Sequence, residues 1–137
     1  MTKRVLILCT GNSARSQMAE GWLRALGRGR FEVYSAGTRP SAVRPEAVEA
    51  MREVGVDIRS HHSKPVDEFA GREFDYVITV CDNARASCPA FPGKAERIHW
   101  SFDDPAAVEG GRDERLAAFR RVRDEIGERL RAWTESA

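Results

Sequence analysis

The stretch Val5-Leu6-Ile7-Leu8-Cys9-Thr10-Gly11-Asn12-Ser13-Ala14-Arg15-Ser16 decides how the rest of the chain is read. Four consecutive apolar residues, Val5 to Leu8, end at a Gly-containing turn. That is the pattern of a strand buried on both faces. Beyond the turn, Met18, Ala19, Trp22, Leu23 and Leu26 recur at helical period. A cysteine therefore ends a buried strand, and an arginine six residues on opens a helix. The first N–H groups of a helix have no helical partner, and the helix dipole adds partial positive charge there. The loop is an anion site by construction, formed by Thr10, Gly11, Asn12, Ser13, Ala14, Arg15 and Ser16. Arg15 adds a planar fork that matches two oxygens of a tetrahedral oxyanion. Cys9 is the candidate nucleophile, since a thiolate in positive surroundings is the reactive form of cysteine. Ser16 is placed to donate a hydrogen bond to that sulfur. Asn12 is expected in a left-handed conformation, bracing the loop. A lone cysteine at a strand end is more often a small buried hydrophobe; the arginine at this spacing favours oxyanion chemistry.

Working outward, Gly27 is a natural end for the first helix. Phe31 to Ala36 alternates as a second strand, and Pro45 suits the first turn of a second helix. The stripe expected on that helix is Val48, Met51 and Val54, with Gly55 ending it. Val66 to Phe69 reads as a short helical turn. Tyr76 to Val80 is a third buried strand and Glu96 to Trp100 a fourth. Pro89, Pro92 and Gly93 mark the loop between them. After Gly110-Gly111, a long helix carries Leu116, Phe119, Val122, Ile126, Leu130 and Trp133 at steps of three and four. Strands alternating with helices predict an α/β chain, with a four-stranded parallel sheet flanked by helices on both faces. Ligands of such sheets bind beyond the carboxyl ends of the strands. Cys9, Cys81 and Asp104 all follow strand ends.

The 137 residues fit one domain, 1–137. A net charge of +1 points to no nucleic-acid or membrane partner, and no run approaches the roughly 18 apolar residues of a membrane span. The first strand begins almost at once, without a signal-peptide pattern, so a cytoplasmic location is expected. Three cysteines, an odd number, argue against a structural disulfide framework there. The adjacent pair His61-His62 lacks partners at ligand spacing and reads as surface or capping histidines, with no metal expected.

Six residues separate Cys81 from Cys88, which precedes Pro89. On a continuous helix, seven positions span about 10.5 Å, whereas a disulfide needs Cα atoms within about 7 Å. If they pair, the segment between them must refold, as a redox switch would.

The pattern Cys9-x5-Arg15-Ser16 resembles the low-molecular-weight tyrosine phosphatase fold. Joined by Cys81-x6-Cys88-Pro89, His99-Trp100-x-Phe102-Asp103-Asp104-Pro105 and Arg121 to Ile126, it resembles the thioredoxin-coupled arsenate reductases of that fold along nearly the whole chain. The resemblance implies that backbone N–H groups and Arg15 bind arsenate and that Cys9 attacks arsenic. It implies Asp104, held extended by Pro105, as the acid that protonates the departing oxygen. Cys81 would then attack the Cys9 sulfur and expel arsenite, Cys88 would take over the disulfide, and thioredoxin would reduce it. No cofactor is implied. Some relatives hold potassium beside the loop, where Glu20 and Ser35 stand; the sequence does not establish an ion. Ala14 departs from related loops, which often carry a second cysteine, and this leaves the relay untouched.

Two other functions stay open. A phosphotyrosine phosphatase would use Cys9, Arg15 and Asp104 but leaves Cys81 and Cys88 without a role. A non-enzymatic thiol site for arsenite or a soft metal leaves the anion loop unexplained. Arsenate or phosphate, thioredoxin and a monomeric state complete the expectations.

Overall fold

Strand β1, Lys3–Cys9, runs through the middle of a four-stranded parallel sheet of order β2-β1-β3-β4. The computed structural model of the chain describes residues 2–88 and 91–137, without the side chains at 83 and 87. Strand β2 is Phe31–Gly37, β3 is Tyr76–Thr79 and β4 is Glu96–His99. Val5, Leu6, Ile7 and Leu8 are each 0% exposed. Successive side chains point to opposite faces, so both faces of β1 are covered, as its unbroken apolar run predicts.

Helix α1, Arg15–Gly27, packs against α4, Arg112–Ser136: the Trp22 indole N–H donates to the Arg123 carbonyl at 2.9 Å. Gly127 makes room for that ring; a Cβ there would lie 2.6 Å from Trp22 Cε2. Helix α2, Pro45–Glu53, starts on its proline as expected. Arg123 joins α4 to α2 through bonds to the Ala50 carbonyl and to Glu53, both 2.9 Å. The buried stripe of α4 runs from Leu116 through Leu130, with Trp133 half-buried at its end. Val66–Phe69 is a 3-10 turn whose Phe69 ring packs at a tilt against Tyr34 and edge-on against Phe74.

Two local expectations are corrected. Helix α1 does end at Gly27, but the left-handed residue that stops it is Arg28, φ 49°, followed by Gly29, φ 86°. Gly27 is instead a packing position, with space for a Cβ filled by the Phe31 ring. In α2 the buried face is Ala47, Ala50 and Met51; Val48 is half-buried and Val54 exposed. Two of the three are alanines, and α4 comes close enough there for Arg123 to reach the Ala50 carbonyl. Pro89 of the predicted loop lies outside the described residues.

The register aligns the business ends of the strands. Cys9 pairs with Gly37, Leu8 with Thr79, and Thr79 with His99. Strand order reverses around β1, with β2 on one side and β3 on the other. Everything that follows β1 and β3 therefore meets above the sheet at one point.

Candidate active site

Between β1 and α1, five consecutive carbonyls are bonded away from the loop. Those of Cys9, Thr10, Gly11 and Ser13 accept from the N–H groups of Thr38, Arg39, Ser41 and Arg44. That of Asn12 accepts from Gln17 Nε2 at 3.1 Å and Ser63 Oγ at 2.6 Å. Among the described residues, the N–H groups of Gly11, Asn12, Ser13, Ala14 and Arg15 donate to no backbone or side-chain acceptor. The N-cap residue of α1, Ala14, has no side chain to cap it. Consecutive backbone N–H groups left without an acceptor between a strand and a helix are the makings of an anion nest.

Its shape is held from within and below. Asn12 is left-handed, φ 48°. Its amide nitrogen donates to Ser16 Oγ at 2.7 Å and Ser35 Oγ at 3.0 Å, and its oxygen accepts from the Lys64 N–H at 2.9 Å. Gly37 forms the floor: a Cβ there would come within 2.5 Å of the Thr10 carbonyl oxygen. Cys9, 2% exposed, sits in the nest with its sulfur 2.9 Å from Ser16 Oγ. Because Asn12 donates into the Ser16 oxygen, the hydroxyl proton is free to turn to the sulfur.

Arg15 closes one side. Its Nη1 donates to the Phe102 carbonyl at 3.1 Å, and its Nη2 lies 3.8 Å from Asp104 Oδ2. Asp104 is extended at φ −81°, ψ 106°, and also accepts from the Ala106 N–H at 3.0 Å. Asp103 points elsewhere, to Arg121 on α4 at 3.3 Å. Of the two aspartates, Asp104 alone faces the arginine of the loop.

The other two cysteines flank one short helix. Cys81, 5% exposed, is the N-cap of α3, Asp82–Ser87, accepting from the Ala84 N–H at 3.4 Å. Its sulfur also lies 3.3 Å from Thr10 Oγ1. Cys88, half-buried, is the C-cap, and Arg97 Nη1 donates to its sulfur at 3.3 Å. A cleft of about 510 Å³ opens beside Cys88, lined by Arg85, Arg97 and His99. All three cysteines are free thiols. The structure thus brings Cys9, Arg15, Asp104 and Cys81 to one place, with Cys88 a helix length away.

His61 corrects the expectation of a surface or capping histidine. Its side chain is 7% exposed, its Nδ1 lies 3.0 Å from Gln17 Oε1 and its Nε2 3.5 Å from Glu20 Oε2. Burial holds its pKa below the ordinary histidine value, the Glu20 charge opposing. His62 is exposed. A potassium ion beside the loop would need the Glu20 carboxylate. One Glu20 oxygen takes the Ser35 hydroxyl at 2.6 Å and the other takes Arg24 at 2.8 Å. Arg24 supplies the positive charge an ion would bring, so these residues do not fit one.

Sequence reasoning missed the Phe102 carbonyl, the Thr10 contact to Cys81 and a polar cluster of Asp82, His99 and Ser101. Asp82 Oδ1 accepts from Ser101 Oγ at 2.6 Å and lies 2.8 Å from His99 Nε2; these bonds, Ser101 first, hold its pKa below the usual carboxylate range.

The loop, its arginine and the facing aspartate on this sheet define a class, and the chain belongs to the low molecular weight phosphotyrosine protein phosphatase family, whose sequence model matches residues 4–137. Within that class the similar proteins include an arsenate reductase of Halalkalibacterium halodurans, 49% identical over 137 residues and 99% of each chain. A solved arsenate reductase in its phosphate-binding state is similar with a TM-score of 0.80 and 33% identity, covering 98% of each chain. A thioredoxin-dependent arsenate reductase of Corynebacterium glutamicum is similar with a TM-score of 0.74 and 31% identity, covering 98% of this chain and 61% of that one.

Proposed function

We propose that this chain is an arsenate reductase that passes oxidation from Cys9 to Cys81 to Cys88 and is regenerated by thioredoxin. The observation that carries the reading is the second buried thiol: Cys81 Sγ, 3.3 Å from the hydroxyl of the residue after Cys9, at the head of a helix that Cys88 ends. A phosphatase has no use for it. The similarity to arsenate reductases along the whole chain, one of them thioredoxin-dependent, supports the same reading.

The geometry supports the following chemistry. The amide nest and the Arg15 fork take a tetrahedral dianion and stabilise charge on its oxygens. The Cys9 sulfur attacks arsenic, and an arsenate oxygen leaves as water with a proton from Asp104. Cys81 then attacks the Cys9 sulfur. The As–S bond breaks with its electron pair going to arsenic, which departs as arsenite, and a Cys9–Cys81 bond forms. Cys88 attacks Cys81 and releases Cys9, leaving Cys81–Cys88. The half-buried Cys88 beside its cleft is the end of the relay that an external dithiol such as thioredoxin can reach. Phosphate has nearly the shape and charge of arsenate, so slow hydrolysis of small aryl phosphates accompanies the main reaction. The unit is residues 1–137, a monomer working among reduced thiols in the cytoplasm.

The test is arsenate-dependent oxidation of NADPH through thioredoxin and its reductase, followed by mass mapping of disulfides after one turnover. Multiple turnover and a Cys81–Cys88 bond are expected, and Cys9→Ser abolishes both reduction and aryl phosphate hydrolysis. Hydrolysis without arsenate-dependent oxidation would move the chain to the phosphotyrosine phosphatases, which the family's description favours.

A further inference from the structure

Asp82 sits between the two halves of the machinery. It is the first residue of α3, directly after Cys81. Its Oδ1 holds Ser101 Oγ at 2.6 Å and lies 2.8 Å from His99 Nε2. His99 is itself fixed to the sheet, with Nδ1 2.7 Å from Thr79 Oγ1 on β3. Ser101 opens the loop whose next residue, Phe102, holds Arg15 through its carbonyl, and which then presents Asp104. One carboxylate therefore ties the helix between Cys81 and Cys88 to the loop that orients the oxyanion-binding arginine.

We infer that Asp82 is a positioning residue that makes the oxyanion site depend on the redox state of Cys81 and Cys88: when that pair oxidises, Asp82 lets go of Ser101 and the loop carrying Phe102 and Asp104 loosens from Arg15. This rests on the relay reading. Forming the Cys81–Cys88 bond takes two electrons and two protons from the thiols, accepted by arsenate as it becomes arsenite and water. Seven helical positions span about 10.5 Å, and the bond needs the Cα atoms within about 7 Å, so α3 must unwind. Asp82 lies within the segment that refolds and cannot keep its two partners. The consequence serves the reaction. An oxidised chain that still bound arsenate well would form an adduct at Cys9 with no Cys81 thiol to resolve it. Weakening the site until the pair is reduced avoids that dead end.

The backbone of the loop is tied separately, by Trp100 N–H to the Thr79 carbonyl at 2.9 Å and Phe102 N–H to the Val80 carbonyl at 3.4 Å. Oxidation therefore loosens the loop without detaching it, and a partial loss of activity is the expected size of effect.

The experiment compares hydrolysis of a small aryl phosphate, which needs Cys9 and Arg15 but not the relay, before and after oxidation. Wild-type protein is oxidised with stoichiometric arsenate or with diamide, and mass mapping checks for a Cys81–Cys88 bond with Cys9 free. The expected fall in kcat/KM is roughly fivefold, that of losing one exposed hydrogen bond. Reduced Asp82→Ala and Ser101→Ala should already stand at the oxidised level and drop no further on oxidation. Asp82→Asn, which keeps an acceptor oxygen for Ser101, should recover the redox response. A merely structural aspartate would lower both states alike and keep the ratio. The inference is overturned if wild-type hydrolysis is equal in both mapped states, or if Asp82→Ala retains the full ratio. Failure to form the Cys81–Cys88 bond by either oxidant would overturn the relay itself, and this inference with it.

Discussion

Ser16 Oγ stands 2.9 Å from the Cys9 sulfur and 2.7 Å from the amide nitrogen of Asn12. The amide can only donate, so the hydroxyl is left with its proton for the sulfur. Ser16→Ala should slow arsenate reduction and alkylation of Cys9 at neutral pH together, by roughly tenfold or more, the scale of one hydrogen bond to a charged group. Unchanged alkylation would mean the serine only braces the loop.

Arg15→Lys keeps the charge and loses the fork. Lysine cannot hold the Phe102 carbonyl and two substrate oxygens in one plane. A loss of roughly ten- to a hundredfold in kcat/KM is expected for both arsenate and aryl phosphate. Wild-type kinetics in this variant would remove Arg15 from the site.

Asp104 faces Arg15, while Asp103 is paired with Arg121. Asp104→Asn should cost hydrolysis of phenyl phosphate, a poor leaving group, roughly a hundredfold, and p-nitrophenyl phosphate much less. Equal losses on the two substrates would take the acid role away from Asp104. Asp103→Asn should change neither.

Neither Cys81 nor Cys88 lines the anion nest, so serine at either position should keep aryl phosphate hydrolysis. Both variants should lose repeated arsenate reduction, at different stages. Cys88→Ser completes one turnover and stops with Cys9 bonded to Cys81; Cys81→Ser releases no arsenite by internal disulfide formation. Amide exchange across Asp82 to Ser87 should quicken on oxidation of the wild-type protein. Equal protection in both redox states, or repeated turnover by Cys88→Ser with thioredoxin, would rule the relay out.

Away from the site, Glu53 clamps α2 to α4. Its hydrogen bond from Arg120, and then that from Arg123, bring its pKa down from 4.5 to about 2. A carboxylate depressed in the folded state stabilises above its unfolded pKa and ceases to do so as the pH falls through the folded one. Urea unfolding should therefore find Glu53→Gln less stable than wild type at pH 7. The gap should close between about pH 4.5 and about 2. A gap that stays constant across that range would assign the effect to packing.

What could be read from residue order is what lies close along the chain. The nest, the nucleophile, Ser16 and the left-handed Asn12 fall within eight residues, Cys9 to Ser16, and local rules for strand ends and helix starts apply to all of them. Asp104 was legible because Pro105 constrains it. The contacts that escaped join distant segments: Phe102 to Arg15, Thr10 to Cys81, His61 to Glu20, and Ser101 to Asp82. None has a period or a spacing of its own; each exists only because the fold brings segments distant in the chain together, three of them at the carboxyl ends of the strands. The stripe of α2 was misread in part. Met51 is buried as its position in the stripe implies, but beside it the chain buries Ala47 and Ala50 in place of the more hydrophobic Val48 and Val54.

Arg15 is tethered by its own chain, its Nη1 on the Phe102 carbonyl and its side chain only 14% exposed. A free arginine side chain gives up about 2 kcal/mol of rotamer entropy when it is fixed. Here that ordering belongs to folding, not to ligand capture. A four-oxygen ion offers few atoms with which to compensate for disorder in its receptor, so a receptor stiffened in advance is what lets so small an anion be held at all.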